Sequence, residues 1–132
     1  MILPVTTSQI RPTQLELSIL KALWQKGSGT VREIHAIVNA SKAIGQTTVL
    51  KMLQIMTDKG LVTRDESVRP QVYRARYTQG QTQQHLLKDL LHRAFEGSVK
   101  ALVLQALSTR KPSRKDLETI EELLDKLEGD VK

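Results

Sequence analysis

The sequence predicts a mainly α-helical protein in two parts, with three helices and a β-hairpin first and three more helices after them. Helical and then β-type apolar patterning fills residues 1–78, and helical patterning alone fills residues 79–132. The charge divides similarly. Residues 1–80 contain 11 Lys/Arg and 5 Asp/Glu, a net of +6, whereas residues 81–132 contain 9 of each, a net of zero. We therefore expect a basic domain over 1–78 and a neutral domain over 79–132.

The composition excludes several classes of protein. With 132 residues the chain is long enough for one small domain and an association element. It has no cysteine, which excludes disulfides, thiolate metal sites and a cysteine nucleophile. No apolar run approaches the roughly 18 residues of a membrane span, and residues 1–13 lack the pattern of a secretory signal. We expect a cytoplasmic protein without membrane insertion.

The first two helices begin at the same kind of sequence signal. Thr13 with Glu16, and Thr30 with Glu33, fit the capping box, in which each side chain bonds the other residue's backbone N–H. We expect the first helix to end near Trp24, before the Gly-Ser-Gly of residues 27–29. The second is expected to run from Val31 to about residue 39.

The third helix, expected over 46–59 and closed by a left-handed glycine at position 60, has two different faces. One face is apolar and consists of Val49, Met52, Leu53 and Met56. The opposite face carries small or uncharged polar side chains and one lysine, with Thr47, Lys51 and Gln54 at helical spacing. An ordinary solvated face usually carries more charge.

A hairpin follows the third helix. Residues 61–65 and 71–77 are rich in β-forming side chains, and residues 66–70 between them form a turn-like segment ending in proline. Three short helices followed by a hairpin with a basic turn constitute the winged helix-turn-helix arrangement, in which the third helix enters the major groove of DNA. The basic domain is therefore predicted to be a winged helix-turn-helix DNA-binding domain.

The polar face of the third helix fits base reading. Glutamine pairs with adenine, lysine reaches guanine or phosphate, and a threonine methyl group can meet that of thymine. The predicted base-reading residues are Gln46, Thr47, Thr48, Lys51 and Gln54. The predicted phosphate contacts are Arg32, Lys42, Arg64, Arg69 and Arg74, with Arg69 the preferred wing residue. The structural alternative is a solvated polar face on a core helix.

Residues 79–132 are predicted to form a helical dimerisation region. Three amphipathic segments, interrupted at Gly97 and at Lys111-Pro112, contain too little core to fold alone. Pairing with a second copy would bury their apolar stripes, and we expect a homodimer. The residues predicted to make the contact are Leu87, Leu91, Phe95, Leu102, Leu117, Ile120, Leu124 and Leu127. The alternative is packing of these helices onto their own chain.

Other chemistry receives less support. His85, Asp89 and His92 share a helix face and could hold zinc with ligands from elsewhere, but a polar face of the dimerisation helix is the favoured interpretation. His35 is interpreted as a structural or surface residue. The sequence has no catalytic serine-histidine pattern, phosphate-binding loop or zinc-protease motif, so we expect neither an enzyme nor a cofactor. The rival functions are a protein-interaction module and a metal-responsive regulator.

Several stretches in a fixed order carry a family resemblance. They are residues 15–24, 30–34, 47–49, 59–62 and 95–104. Over roughly residues 12–128 they resemble the penicillinase repressor family. The resemblance implies a dimeric winged-helix transcriptional repressor that binds a palindromic operator in double-stranded DNA and controls antibiotic-resistance or copper-handling genes. It also implies that the major-groove contacts come from the start of the third helix.

Two departures from the family pattern concern the inducing signal. The copper branch of the family carries a C-terminal cysteine cluster, which this sequence lacks, so copper sensing by that route is excluded. In the β-lactam branch, a membrane sensor-protease system acts as antirepressor, leading to cleavage at an Asn-Phe bond. The matching stretch here contains Gln105 and Ala106, whose peptide bond is the candidate cleavage site.

Overall fold

The computed structural model describes residues 11–131 and contains six helices and one two-stranded sheet within them. In chain order the elements are α1 (Gln14–Lys26), α2 (Val31–Ser41), α3 (Gln46–Lys59), β1 (Val62–Asp65), β2 (Val72–Ala75), α4 (Gln79–Ala94), α5 (Val99–Thr109) and α6 (Arg114–Val131). This confirms the mainly helical fold with a hairpin after the third helix.

The chain divides into two compact units between Leu90 and Leu91. The first contains α1, α2, α3, the hairpin and most of α4, and the second contains the end of α4 with α5 and α6. The predicted domain boundary between residues 78 and 79 lies immediately before α4. That the DNA-binding domain ends at residue 78 stays a prediction.

Both capping boxes are present. The Thr13 hydroxyl accepts a hydrogen bond from Glu16 N at 3.2 Å, and Thr13 N donates to the Glu16 carboxylate at 2.8 Å. Thr30 and Glu33 make the same pair of bonds. Helix α1 ends two residues after Trp24, its predicted end, because helical hydrogen bonding continues as far as Gly27. The N–H of Gly27 donates to Leu23 O, and its φ of +92° ends the helix.

The core of the first unit lies where α1, α2 and α3 meet the hairpin. All three helices contribute apolar side chains to it, and the stripe predicted on the third helix supplies Val49, Leu53 and Met56. The buried apolar residues of this cluster are Ile19, Leu20, Ala22, Leu23, Ile34, Val38, Val49, Leu53, Met56, Leu61, Val62 and Tyr73. Their burial fixes which side of α3 faces outward.

The hairpin, or wing, is held to the helices at both of its ends. Its strands are antiparallel, with Val62 opposite Ala75. Gly29 and Tyr73 exchange two backbone hydrogen bonds of 3.0 and 2.8 Å, which attach β2 to the turn between α1 and α2. The Trp24 indole N–H donates to Tyr77 O at 2.9 Å. These bonds set the position of the wing relative to α2.

A buried carboxylate connects α1 to α3. The Glu16 side chain is fully buried, and its Oε2 accepts a hydrogen bond from Lys59 Nζ at 2.9 Å. Burial by itself would raise the pKa of Glu16, but the Thr13 backbone N–H and the Lys59 ammonium together hold it below the ordinary value. The carboxylate is therefore ionised in the folded protein, and Lys59 compensates a buried charge.

Lys59→Ala is expected to lower the free energy of unfolding at pH 7 by about 1–2 kcal/mol, because it leaves that carboxylate with one partner fewer. The pKa of Glu16 is lower in the folded chain, so its ionisation stabilises the fold above the ordinary pKa of 4.5 and this contribution is lost as the pH falls. The difference between wild type and variant should therefore shrink at pH 4. Urea unfolding of wild type and Lys59→Ala at equal protein concentration measures both free energies of unfolding.

The control for this experiment is Lys21→Ala, which removes an exposed lysine of α1. That variant should match wild type at both pH values. A difference between wild type and Lys59→Ala that is equally large at pH 7 and pH 4 would contradict a role for the ion pair.

The helices after the wing are exposed to an unusual degree. From Gln83 to Val131 the structure contains no buried residue, although this stretch is rich in leucine and valine. A stable globular unit normally buries such side chains. None of the helices in the described part of the chain combines the length and apolar character needed to cross a membrane.

Candidate nucleic-acid interface

The outward face of α3 includes all five predicted base-reading residues. Gln46, Thr47, Thr48, Lys51 and Gln54 are exposed. The opposite face is anchored in the core, so this face has a fixed direction. Gly45, the residue before α3, offers no side-chain cap, which leaves the N-terminal N–H groups of the helix accessible to an anion such as phosphate. The roles of these residues toward DNA stay predictions.

Two side chains of α2 fix the segment that leads into α3. His35 Nε2 lies 2.7 Å from Ile44 O, and the Asn39 side-chain oxygen accepts a hydrogen bond from Ile44 N at 3.1 Å. Both backbone polar groups of Ile44 are thereby tied to α2. These two contacts to Ile44 were not predicted from the sequence, because a helical pattern does not show which loop residue a polar side chain will contact. The polar residues near the end of α2 were the available signal.

A cleft of about 350 Å³ brings three elements of the candidate site together. Its walls come from the start of α2, the first half of α3, the end of the wing turn and the start of β2. The lining residues are Thr30, Val31, Arg32, Gln46, Leu50, Pro70, Gln71 and Tyr73. Arg32, a predicted phosphate contact, and Gln46, a predicted base-reading residue, thus border the same concave surface.

Most of the predicted phosphate contacts are exposed cations. Arg32, Lys42, Arg69 and Arg74 are exposed, and none of them forms an ion pair within 4.0 Å among residues 11–131. Exposed cations of this kind can meet phosphates without first breaking an internal pair.

Arg64 differs from the other predicted contacts. Its Nη2 atom lies 2.7 Å from Glu66 Oε1, and the Tyr73 side chain opposite it in the hairpin, together with the Glu66 carboxylate, raises the pKa of Arg64. The charge of Arg64 is therefore engaged within the wing. A phosphate contact by this residue stays a prediction, and it would have to share the guanidinium with Glu66.

The beginning of the wing turn is held by Asp65. Its carboxylate accepts hydrogen bonds from both the backbone N–H and the hydroxyl of Ser67. These bonds, helped by the nearby Arg74 charge, lower the pKa of Asp65. Such a turn, closed by an aspartate side chain, orders the segment that presents Arg69.

The histidine-containing face of α4 shows other interactions. Asp89 pairs with Arg11 at 2.9 Å, and the His85 ring meets Tyr77 edge to face at a centroid distance of 6.0 Å. Within the described residues there is no group of three or more potential ligands positioned to hold a metal ion. Asp89 and His85 thus make contacts within the chain, and the interpretation of this face as a polar helix surface stays a prediction.

The predicted dimer contacts form exposed or half-exposed stripes. Leu87, Leu117, Leu124 and Leu127 are exposed, and Leu91, Phe95, Leu102 and Ile120 are partly exposed. Val99, Leu104 and Leu123 extend the apolar surface beyond the predicted set. Leu87 belongs to the first unit, and the other side chains leave a large apolar surface on the second unit.

The candidate cleavage bond lies inside a helix. Gln105 and Ala106 are exposed residues of α5, and Gln105 O accepts a hydrogen bond from the Thr109 hydroxyl at 2.7 Å. Proteolytic nicking favours loop tips. Cleavage at this bond therefore requires α5 to unwind locally.

Comparison with known proteins identifies a family and one curated relative, and both are penicillinase repressors. The sequence matches the penicillinase repressor family over residues 12–126. A penicillinase repressor of Staphylococcus aureus is 19% identical over 120 residues, which cover 91% of this chain and 95% of that protein.

Two solved structures are similar at a lower level. One is a MarR family transcriptional regulator from Silicibacter pomeroyi DSS, with a TM-score of 0.42 and 18% identity over 84% of this chain. The match spans 65% of that protein, just under two thirds of its length. The other, reduced AbfR bound to DNA, has a TM-score of 0.44 and 20% identity, covering 95% of this chain and 78% of that one.

Proposed function

The chain belongs to the penicillinase repressor family, and from this premise we propose that it represses transcription as a homodimer bound to a palindromic operator. As a member of this family it is a DNA-binding transcription regulator and not an enzyme. The observation that carries the proposal is the face of α3. Five exposed polar residues, with lysine as the single charge, stand opposite an apolar stripe in which Val49, Leu53 and Met56 are fully buried.

The chemistry of this face suits the major groove. Its glutamines and threonines present donors, acceptors and methyl groups that match base edges, and a carboxylate first occurs at Asp58, near the helix end. Arg32 borders the same cleft as Gln46, and the exposed arginines of the wing supply further charge for the phosphates. Base reading is thus assigned to α3 and positioning to its surroundings.

The dimer is supported by the exposed apolar surface of the second unit. Isolated exposed leucines are normal, but contiguous stripes on consecutive helices mark an interaction surface. A two-fold dimer covers each stripe with its own copy. The same symmetry presents two α3 helices to successive major grooves, about 34–36 Å apart or a multiple of that spacing, and thereby selects a palindrome.

Fluorescence anisotropy with duplexes from the chain's own promoter region tests the proposal. Wild type should bind one promoter duplex far more tightly than a random duplex at physiological salt, with two chains per site. Equal affinity for both duplexes would contradict sequence-specific repression and would favour a protein-interaction module.

Release by cleavage between Gln105 and Ala106 completes the proposal. Both residues are exposed, and the bond lies in the apolar second unit. A cut in α5 would divide this unit and weaken the dimer, which lowers operator affinity without any change at α3. A membrane sensor-protease system is the proposed source of the signal. Incubation with such a protease should yield two fragments separated at residue 105.

Arg69→Ala is expected to weaken binding to operator and random DNA by a similar factor, because a phosphate contact carries no sequence information. Each lost contact should reduce the slope of log K against log salt by about 0.9, so a dimer should lose about 1.8. Titrations at several salt concentrations measure the slope. Lys126→Ala, on α6, removes the same charge and should leave the slope unchanged. A slope unaltered by Arg69→Ala would place this residue away from DNA.

A further inference from the structure

One apolar side chain, that of Leu50, is exposed on the outward side of α3 among the polar residues of the candidate interface. Leu50 is 39% exposed, whereas its neighbour Val49 is fully buried. Met52 is packed against the core, whereas Leu50 lines a surface cleft with Val31 and Tyr73. Part of the Leu50 side chain is therefore accessible from solvent, next to the predicted base-reading residues Gln46 and Lys51.

The surroundings of Leu50 belong to the candidate interface. Leu50 lies one helical turn after Gln46, and both side chains line the cleft between α2, α3 and the wing. Pro70 and Val31 add apolar surface to the same cleft, and Arg32 adds a positive charge. A ligand in this cleft would thus meet a small apolar surface beside a hydrogen-bonding amide and a cation.

We propose that Leu50 contacts the methyl group of a thymine in the major groove and contributes to operator choice by this contact. The inference rests on the proposed function. The thymine methyl is the apolar group that base pairs display in the major groove, and an aliphatic side chain recognises it by excluding water. Leu50 is exposed beside Gln46, on the side of α3 that the proposed function turns toward DNA.

The spacing on α3 restricts where the thymine lies. Gln46 and Leu50 are four residues apart, which is about 6 Å along a helix axis. Base pairs are about 3.4 Å apart, so the two side chains address positions about two base pairs from each other. An adenine read by Gln46 should therefore be accompanied by a thymine, on either strand, within about two base pairs.

Replacement of thymine by deoxyuridine tests the contact, because it removes the methyl group and leaves every base-edge hydrogen bond intact. Wild type first selects a preferred sequence from a pool of random duplexes. Each thymine of that sequence is then replaced singly, and dissociation constants are measured. At one thymine per half-site, the substitution should weaken wild-type binding about four-fold, the effect of one buried methyl group.

The variant Leu50→Ala should bind the unmodified operator more weakly and should lose its response to deoxyuridine at that thymine. Val68→Ala is the matched control, since Val68 is a 42% exposed apolar residue of the wing turn, outside the lining of the cleft. It should keep the full four-fold response. Alanine is a good helix former, and a thermal melt will show that Leu50→Ala is folded.

The outcomes separate the inference from the proposed function. If no sequence is selected over random DNA, sequence-specific binding fails and the inference fails with it. If a sequence is selected but no deoxyuridine weakens binding, or if Leu50→Ala responds to deoxyuridine as wild type does, the thymine contact is wrong. Specific DNA binding would still stand in those two cases, and a response retained in Leu50→Ala would point to the threonines of α3.

Discussion

Leu124→Glu is expected to make the protein monomeric and to weaken operator binding by roughly 10²–10⁴-fold, the range in which linking two binding modules raises affinity. Leu124 lies on the apolar stripe of α6 and is 51% exposed in the single chain. A carboxylate there would have to be buried without a partner in the dimer, at a cost that association cannot offset. Light scattering after gel filtration measures the mass, and anisotropy measures the affinity.

The matched control is Lys115→Glu, which makes the charge of α6 more negative on the face turned away from Leu124. It should remain dimeric and retain near-normal affinity. Leu124 is exposed in the chain and lies outside the first unit, so Leu124→Glu should leave the winged-helix core folded. Helical circular dichroism and the melting transition check this. A dimeric Leu124→Glu protein would contradict the proposed interface, and a monomer with full operator affinity would contradict the need for two copies.

The parts of the fold that follow from local chemistry could be predicted from the sequence. Thr13 and Thr30 mark helix starts because a capping box uses residues only three apart. Gly60, with φ of +80°, ends α3 in the left-handed conformation for an equally local reason. The faces of α3 follow from helical periodicity, which the burial of Val49 and Leu53 confirms.

The interactions that the sequence did not reveal depend on tertiary packing, on the path of a loop or on side-chain geometry. Glu16 was recognisable as part of a cap, but its pairing with Lys59 depends on how α1 packs against α3. The bond between His35 and Ile44 O depends on the path of a loop. Arg64 was predicted to contact phosphate from its position on the wing, whereas its pairing with Glu66 depends on side-chain geometry at the start of the turn. Patterning assigns residues to faces, and tertiary packing then selects their partners.

Lys51→Ala, present in both chains of a dimer, is expected to weaken operator binding roughly 30- to 700-fold, since each half-site should lose about 1–2 kcal/mol. Lys51 is exposed at the centre of the outward face of α3, and within residues 11–131 it has no ion pair. Alanine preserves the helix, so the loss should come from DNA contact and not from unfolding. Anisotropy with operator and random duplexes at one salt concentration provides the comparison.

The ratio of the two affinities distinguishes base reading from phosphate contact at Lys51. If Lys51 reads a base, its loss should affect the operator much more than random DNA, and Gln46→Ala should likewise reduce the preference for the operator. If both duplexes are weakened equally, Lys51 contacts phosphate and the base-reading assignment is wrong. Lys21→Ala, on α1, removes the same charge from a residue outside the interface and should change either affinity by a factor of about two at most. Unchanged operator affinity in Lys51→Ala would mean that α3 does not enter the groove, because a lysine at the centre of an inserted helix cannot avoid the bases and phosphates around it.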